Sequence, residues 1–284
     1  MTNPRARLDR SEALHLQVAR NIRNDIESGE LRDGTVLPST RELAERWTVS
    51  VFTINEAMKL LAEEGLVESK SRSKRVVRAP AGLQRHEVRL NKPRVLLVGG
   101  YAGSGKTQLG RILARQTGWP MLDKDTLTRP VVEVALEVIG QSPNDRESPI
   151  YAETIRPREY EALLAAGTEN VECGNSVILT APFIREFRDP AWLSRTQASF
   201  EAMNATVTVV WVYCDADTMH TYIRHRGAAR DSVKLADWPG YLAGIDVDFR
   251  PPVDHQRIDN SASSVPLQDQ AKNLLHAVMQ DGPR

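Results

Sequence analysis

The sequence predicts a multidomain protein, with an N-terminal α+β winged helix-turn-helix ahead of an α/β unit built on a mainly parallel five-stranded sheet. Three observations carry this expectation. A glycine-rich octet, Gly100-Tyr-Ala-Gly-Ser-Gly-Lys106-Thr107, begins a hundred residues into a chain of 284. It needs a sheet of its own, so the residues upstream call for a separate fold. Those residues contain two short helical segments separated by a tight turn, followed by a basic hairpin pattern. Charge divides at the same place: residues 1–94 carry 18 Lys/Arg against 13 Asp/Glu, and residues 95–284 carry 19 against 24. A basic head on an acidic body points to nucleic acid as the partner of the head.

Composition narrows the class. A hydrophobic content of 41% is ordinary for a globular chain and leaves room for two cores. The longest apolar runs, at 95–98 and 207–214, fall far short of the ~20 residues of a membrane helix. Arg5, Arg7 and Arg10 are followed by no apolar stretch, so no secretory signal is expected. Cys173 and Cys214 are the only cysteines, too few for a disulfide framework or a thiolate metal cluster. The six His show no ligand spacing, and a cytoplasmic location is expected.

In the head, helical spacing runs from Leu14 through Leu16, Val18, Ile22 and Ile26 and stops at Ser28-Gly29. After the turn at Arg32-Asp33-Gly34, Pro38-Ser39 opens a short helix from Thr40 to Trp47. Thr48-Val49-Ser50 leads into a second, with Ile54, Ala57, Leu60 and Leu61 on one face and Gly65 ending it. This is the helix-turn-helix pattern, whose second helix enters the major groove. Leu66-Val67 and Val76-Val77 then bracket Lys70, Arg72, Lys74 and Arg75. On a helix-turn-helix such a hairpin reads as a wing that touches phosphate or the minor groove; by itself it would read as a solvated basic hairpin.

Residues 12–78 resemble the winged-helix domain of GntR-type bacterial transcription regulators. The resemblance rests on Ile26 to Leu31, Gly34, Leu37-Pro38-Ser39, Arg41-Glu42-Leu43-Ala44, Val49-Ser50, Ala57 and Leu60 to Leu66. It implies DNA contacts from Arg41, Ser50, Thr53 and Asn55, and from Ser71 and Arg72 at the wing tip. It also implies a homodimer on a palindromic double-stranded operator. Two positions depart from the family pattern. Val51 stands where Arg is common, and Phe52 where a small polar residue is usual. Val51 can pack on a thymine methyl but cannot read guanine, so the operator is expected to differ from the common one.

Ala79-Pro80-Ala81-Gly82 and the polar run to Pro93 read as a linker. The expected domains are therefore 1–78, a linker at 79–93, and 94–284. In the body, the octet follows the apolar run Val95 to Val98 and precedes a helical segment from Gln108 to Arg115, the context a phosphate-binding loop requires. Backbone N–H groups of Gly100, Gly103, Ser104 and Gly105 can surround phosphate oxygens, Lys106 reaches the outer phosphates, and the Thr107 hydroxyl ligates Mg²⁺. The body is thus expected to be an α/β P-loop NTPase that binds ATP and Mg²⁺.

A second strand at Trp119 to Leu122 ends in Asp123-Lys124-Asp125, at the edge of the sheet where ligands bind. Asp125 can accept a proton from a substrate hydroxyl and Asp123 can serve Mg²⁺; the pair can equally cap the helix that starts before Leu127. Ser176 to Thr180 is a third strand behind a helix from about 158 to 172. It lacks a terminal Asp, which leaves the metal to Thr107 and the Asp123/Asp125 pair. Arg185 beyond it can meet an anionic substrate or be solvated. Val207 to Tyr213 is the fourth strand. It runs into Asp215 and a helix bearing Arg224 and Arg226, then Arg230-Asp231. These arginines can close over a transferring phosphoryl group, or form an exposed basic helix end. His255 to Ser261 is the fifth strand, and a C-terminal helix runs through Leu274 and Leu275.

The body resembles small P-loop kinases of the AAA_33 type, kin to zeta-toxin-like, chloramphenicol-phosphotransferase-like and gluconate-kinase-like enzymes. The loop, the Leu122-to-Asp125 strand end, Thr180 to Phe183, the Arg224-to-Asp231 lid and Ile258-Asp259-Asn260 carry the resemblance over about 94–280. It implies that the lid arginines contact ATP phosphates and that Asn260 lies near adenine. Taken together, the sequence predicts a DNA-binding transcription regulator modulated by ATP and a possible small-molecule effector. The alternative is an active small-molecule kinase with a DNA-binding head. In that case Asp125, Lys106, Arg224, Arg226 and Arg230 would be its catalytic groups.

Overall fold

The computed structural model describes residues 13–27, 31–71, 74–78, 92–227 and 231–280, and the chain divides into two compact units. In the first unit, α1 (Leu14–Glu27), α2 (Thr40–Trp47) and α3 (Val51–Glu63) precede an antiparallel hairpin of β1 (Val67–Ser71) and β2 (Lys74–Val77). Val18, Ile22 and Ile26 recur at four-residue spacing and bury one stripe of α1 against Leu43, Ile54, Ala57, Leu61 and Val77. Leu16, expected on that stripe, is 42% exposed. It lies two residues before Val18, a rotation of about 200° on a helix, which turns it to the opposite side.

The caps fix where the two helices of the helix-turn-helix begin. The Ser39 hydroxyl accepts from the Glu42 amide (3.3 Å) while the Ser39 amide donates to Glu42 Oε2 (2.7 Å). This reciprocal box opens α2. Thr48 takes a left-handed conformation, φ 53°, that ends α2. Two residues on, Ser50 caps α3 by accepting from the Thr53 amide at 3.0 Å.

The second unit holds β3 (Arg94–Gly99), β4 (Met121–Asp123), β5 (Val177–Thr180), β6 (Thr206–Tyr213) and β7 (Gln256–Asp259) in the order β4-β5-β3-β6-β7, with every pairing parallel. The strands are apolar on both faces because both are covered, as parallel sheets require. Along β3 the side chains alternate: Leu96 and Val98 join Leu109 and Leu113 of α4 (Lys106–Thr117) and Leu274 of α12 (Leu267–Gln280). Val95 and Leu97 face the other way, into a core with Leu163, Phe187, Phe200 and Trp211. The chain leaves β3 toward β4 at one edge and later returns past it to β6. The end of β3 is therefore a topological switch point, where open α/β sheets bind ligands.

Between β5 and β6 run α7 (Ile184–Arg188) and α8 (Pro190–Glu201), and between β4 and β5 run α5 (Lys124–Val138) and α6 (Arg156–Glu172). A π-helical turn, Tyr151–Ile155, extends α6 backward beyond the expected start near 158. Pro157 accounts for the widened turn. It has no amide to donate, and the Arg156 amide reaches back five residues to the Tyr151 carbonyl.

A polar network joins these two helices. Lys124 Nζ lies 2.7 Å from Glu159 Oε1, with side chains 5% and 2% exposed. Thr128 Oγ1 donates to the same oxygen at 2.8 Å, and the Tyr151 hydroxyl donates to Glu159 Oε2 at 2.7 Å. Burial, followed by the neighbouring Glu159 carboxylate, pushes the Tyr151 phenol well above its ordinary value and keeps it a donor. Breaking one side of such a pair leaves an uncompensated charge indoors. Glu159→Ala is expected to cost about 3–5 kcal/mol. That lowers the thermal transition of this unit by roughly ten degrees, and Lys124→Met in the same chain should recover part of it. Scanning calorimetry decides the matter. A loss below ~1 kcal/mol would mark an ordinary solvated ion pair.

Candidate functional site

The phosphate loop is held from two sides. At its start the Gly100 amide donates to the Pro182 carbonyl (3.1 Å) beyond β5. At its end Asn260, just past β7 and 8% exposed, donates through Nδ2 to the Ser104 carbonyl at 3.0 Å. Gly100, Gly103 and Gly105 have φ of 151°, 80° and 99°, conformations that glycine alone adopts freely. A Cβ on Gly100 would sit 2.5 Å from the Val212 carbonyl oxygen, and one on Gly105 2.2 Å from Asn260 Nδ2. Gly105 is the N-cap of α4 and supplies no side-chain cap. The first amides of that helix are therefore left for a ligand, at the positive end of its dipole.

Lys106 Nζ donates to the Tyr101 carbonyl at 2.7 Å, so the lysine arches over the loop. The residues fit a nucleotide phosphate. The loop keeps the backbone space that only glycines leave, and Ser104 Oγ is buried with no hydrogen-bond partner among the described residues. A phosphate oxygen is the kind of acceptor such a hydroxyl needs.

Asp123 joins the loop to the neighbouring strands. Its Oδ2 accepts from Thr107 Oγ1 (3.2 Å) and from Thr180 Oγ1 (2.7 Å), while Oδ1 accepts from the Thr126 amide (3.1 Å) and caps α5. The helix-capping role open to Asp123 in the sequence thus falls to Oδ1, while Oδ2 holds the two hydroxyls. No group of three or more His, Cys, Asp or Glu suited to a metal occurs among the described residues. Mg²⁺ would therefore be held by Thr107, Asp123 and the nucleotide's own phosphates, the arrangement a P-loop uses.

Asp125 follows two residues later, in the first turn of α5. Its Oδ1 lies 3.0 Å from Lys124 Nζ, and its side chain is 34% exposed where Lys124 is buried. The carboxylate is thus oriented by a buried cation while keeping access to solvent. Its charge is felt by the Tyr151 phenol, and the Arg146 guanidinium lies 5.2 Å from the Tyr151 ring centre. Arg185 is exposed and donates to the Ala152 carbonyl at 3.4 Å.

The segment expected to form a lid begins at α9 (Ala216–Arg226), capped by Asp215. Met219 and Ile223 anchor it beneath the loop: a Cβ on Gly103 would lie 2.7 Å from Ile223 Cγ1. Arg224 is exposed on the next position. The Arg226 side chain and Arg230 lie outside the described residues. Two short helices follow, α10 (Ser232–Ala236) and α11 (Trp238–Ala243). They are tied back to α9 by His220 and Trp238, whose rings are 4.6 Å apart.

In the head, Arg41 is exposed on α2, and Val51 and Phe52 stand out from the start of α3 at 46% and 74% exposure. Ser50 and Thr53 form the α3 cap, their hydroxyls 2.8 Å apart. Asn55 accepts from Arg75 Nη2 at 3.2 Å, and Arg75 Nη1 donates to Thr40 Oγ1 at 2.6 Å. Arg75, expected only as one of several wing cations, is a strut fixing the hairpin to both helices. Arg72 and the Ser71 side chain lie outside the described residues. Sequence reasoning placed Thr180 at a strand end but missed its contact with Asp123, and it missed Glu159 altogether. Each lies far along the chain from its partner, and neither residue type distinguishes itself in a strand end or a helix.

Comparison with known proteins agrees with both units. Residues 14–77 match the family model described as bacterial regulatory proteins, gntR family, and residues 95–246 match the AAA domain family AAA_33. A shikimate kinase of Moorella thermoacetica is 35% identical over 99 residues, covering 33% of this chain and 54% of that protein. The HTH-type transcriptional regulator GgaR of Escherichia coli strain K12 is 39% identical over 54 residues, 19% of this chain and 22% of that one. The chain thus spans about half of the first and about a fifth of the second. The solved structure of a kinase from Chloroflexus aurantiacus shares the fold, with a TM-score of 0.50 at 16% identity over 68% of this chain and all of that one.

The tight packing beneath the loop makes Gly105→Ala a direct probe. The added Cβ must displace Asn260 from Ser104 at a backbone conformation already unfavourable for alanine. ATP affinity, measured by titration calorimetry, is expected to fall by about tenfold or more. Unchanged affinity would show that the loop's shape does not govern phosphate binding.

Proposed function

The chain belongs to the AAA family through its P-loop unit and carries a gntR-family DNA-binding head; from that premise we propose that it is a transcription regulator whose operator affinity is set by ATP and Mg²⁺ bound at the loop. One observation supports this above others. The chain retains both an exposed recognition-helix start, Val51 and Phe52, and the Thr107–Asp123 contact that a nucleotide-bound metal would enter. A DNA-binding head fused to a nucleotide binder has its input and output in one molecule. We place it in the cytoplasm, consistent with the finding that no helix among the described residues is long and apolar enough to cross a membrane.

By linkage, any factor by which ATP changes DNA affinity is the factor by which DNA changes ATP affinity. Operator binding should therefore be measured with no nucleotide, ADP, ATP and a non-hydrolysable ATP analogue. A shift of about 5- to 150-fold between states is expected, abolished in Lys106→Ala. Arg41→Ala should weaken operator binding and leave ATP binding intact. A wild-type protein that protects no DNA site, or binds it equally with and without nucleotide, rules this reading out.

A second reading rests on Asp125, a partly exposed carboxylate beside the buried Lys124. The unit would then also phosphorylate a small hydroxylated molecule, as the name of the shikimate kinase relative suggests. Bound ATP would supply the phosphoryl group, with Mg²⁺ neutralising its charge. Asp125 would take the proton from the attacking hydroxyl, held in place by Lys124. Lys106 and the lid Arg224 would stabilise the negative charge on the transferring group. Labelled γ-phosphate should pass to shikimate, a sugar panel or a metabolite extract, and Asp125→Asn should slow transfer about 10²–10⁴-fold. No labelled product dependent on Asp125 would end the kinase reading and leave the sensing one standing.

A further inference from the structure

The Arg75 strut decides which end of Asn55 is offered outward. Arg75 stands on β2 opposite Ser69 of β1, and its carbonyl accepts from the Leu37 amide at 3.0 Å, so its backbone is pinned. From there the half-buried side chain reaches the start of α2 and the second turn of α3. Nη1 donates to Thr40 Oγ1 at 2.6 Å, and Nη2 donates to Asn55 Oδ1 at 3.2 Å. A guanidinium donates only. The atom it meets is therefore the amide oxygen, and the exposed Asn55 is left with Nδ2 to donate elsewhere. Thr40 and Asn55 are both neutral, so neither cancels the positive charge between them. On the preceding turn of α3, Val51 and Phe52 are exposed but carry no polar side-chain atom, and Ser50 and Thr53 bind each other in the cap. The hydrogen-bonding character of this stretch of the recognition helix thus rests on Asn55 with Arg75 beside it.

We propose that Arg75 and Asn55 form a paired donor that reads guanine in the major groove, which makes a residue of the hairpin strand a determinant of operator sequence. An asparagine held by nothing else pairs with adenine through both ends of its amide, accepting from the N6 amino group and donating to N7. Here the oxygen faces a cation. An adenine amino group brought to it would set donor against donor beside a positive charge, and cytosine, which offers its N4 amino group to the groove, meets the same repulsion. Guanine presents two adjacent acceptors, N7 and O6. These match an amide N–H from Asn55 and a second N–H from the guanidinium, whose charge makes its hydrogen bond roughly twice as strong as a neutral one. Thymine offers O4 alone, with a methyl group in the place of the second acceptor. The pinned backbone and the anchor on Thr40 hold the pair in place before DNA arrives, the condition for a contact that discriminates. The inference rests on α3 entering the major groove, and not on the nucleotide reading.

Selection of bound sites from randomised double-stranded DNA by the full chain tests it. The wild type is expected to select a site with a guanine at the position that Asn55→Ala makes degenerate. In Arg75→Ala the preference for guanine over adenine at that position should fall about tenfold or more, with the other positions unchanged. A strut with no part in reading would instead weaken binding evenly across sequences. Asn55→Asp keeps a partner for Arg75 and leaves the hairpin as it is, so it serves where Arg75→Ala does not fold, as judged by circular dichroism. Its carboxylate only accepts, and its preference should move from guanine to cytosine. Adenine at the Asn55-dependent position of the wild type overturns the proposal. So does an Asn55→Ala variant that leaves every position as it was, or an Arg75→Ala variant with unchanged base preferences. A wild type that selects no sequence overturns both this inference and the regulator reading, whereas the expected guanine selected equally with and without ATP upholds this inference and ends the ATP reading alone.

Discussion

The Asp123 carboxylate is the interaction on which the geometry of the P-loop unit depends. One oxygen accepts from Thr107 at the start of α4 and from Thr180 at the end of β5; the other caps α5 through Thr126. A single side chain thus fixes the relative positions of the phosphate loop, a core strand and the helix that carries Asp125. An ionised carboxylate can accept from several donors at once, so the node needs no buried metal to hold it together. Replacing it with a neutral group would release three elements together.

Around that node the unit trades burial for positioning. Lys124 and Glu159 are buried as an ion pair, although apolar residues of similar volume would often be as stable. The pair has a geometric consequence. Lys124 also reaches Asp125, so the partly exposed Asp125 carboxylate is oriented by a cation that is itself immobilised. Glu159 is fully partnered by Lys124, Thr128 and Tyr151, which is the condition under which a buried polar network rigidifies and does not merely destabilise.

Much of this was legible in the sequence where the signal is local. The loop, the helix starts at Ser39 and Ser50, the fully buried run of β3 and the five strands in their chain order all follow from neighbouring residues, because helices, caps and turns are decided within a few positions. The head resolved into the expected helices for the same reason. What stayed illegible depends on tertiary placement. Nothing in Thr180 marks it as a partner of Asp123, fifty-seven residues away. The π-helical turn before α6 needed Pro157 to be seen inside a helix and not at its start. Asn260 could be placed near the nucleotide by resemblance, but its hydrogen bond to Ser104 beneath the loop appears only when β7 is set beside β6. The apolar stripe of α5 was hidden because Leu127, Val131 and Val134 look like core residues until Val132 and Leu136 are found to fill that role.

The same helix therefore has three duties along its length. Its cap is the Thr107 partner, its first turn holds Asp125, and its outer face is the exposed stripe. A ligand shifts an equilibrium only by as much as it binds one state better than the other. A metal that took Asp123 Oδ2 would compete with the hydroxyl protons of Thr107 and Thr180 while leaving Oδ1 as the cap of α5. The end of β5 and the start of α4 could then shift against a helix whose cap stays intact. A rigid helix passes on such a movement as a tilt or a slide, in the manner of shear between packed elements. For α5 that motion would be felt along Leu127 to Val138, the exposed side of the helix. The Asp123 cap at one end of α5, the Asp125 carboxylate in its first turn and the exposed stripe along it are in this way carried on one rigid body.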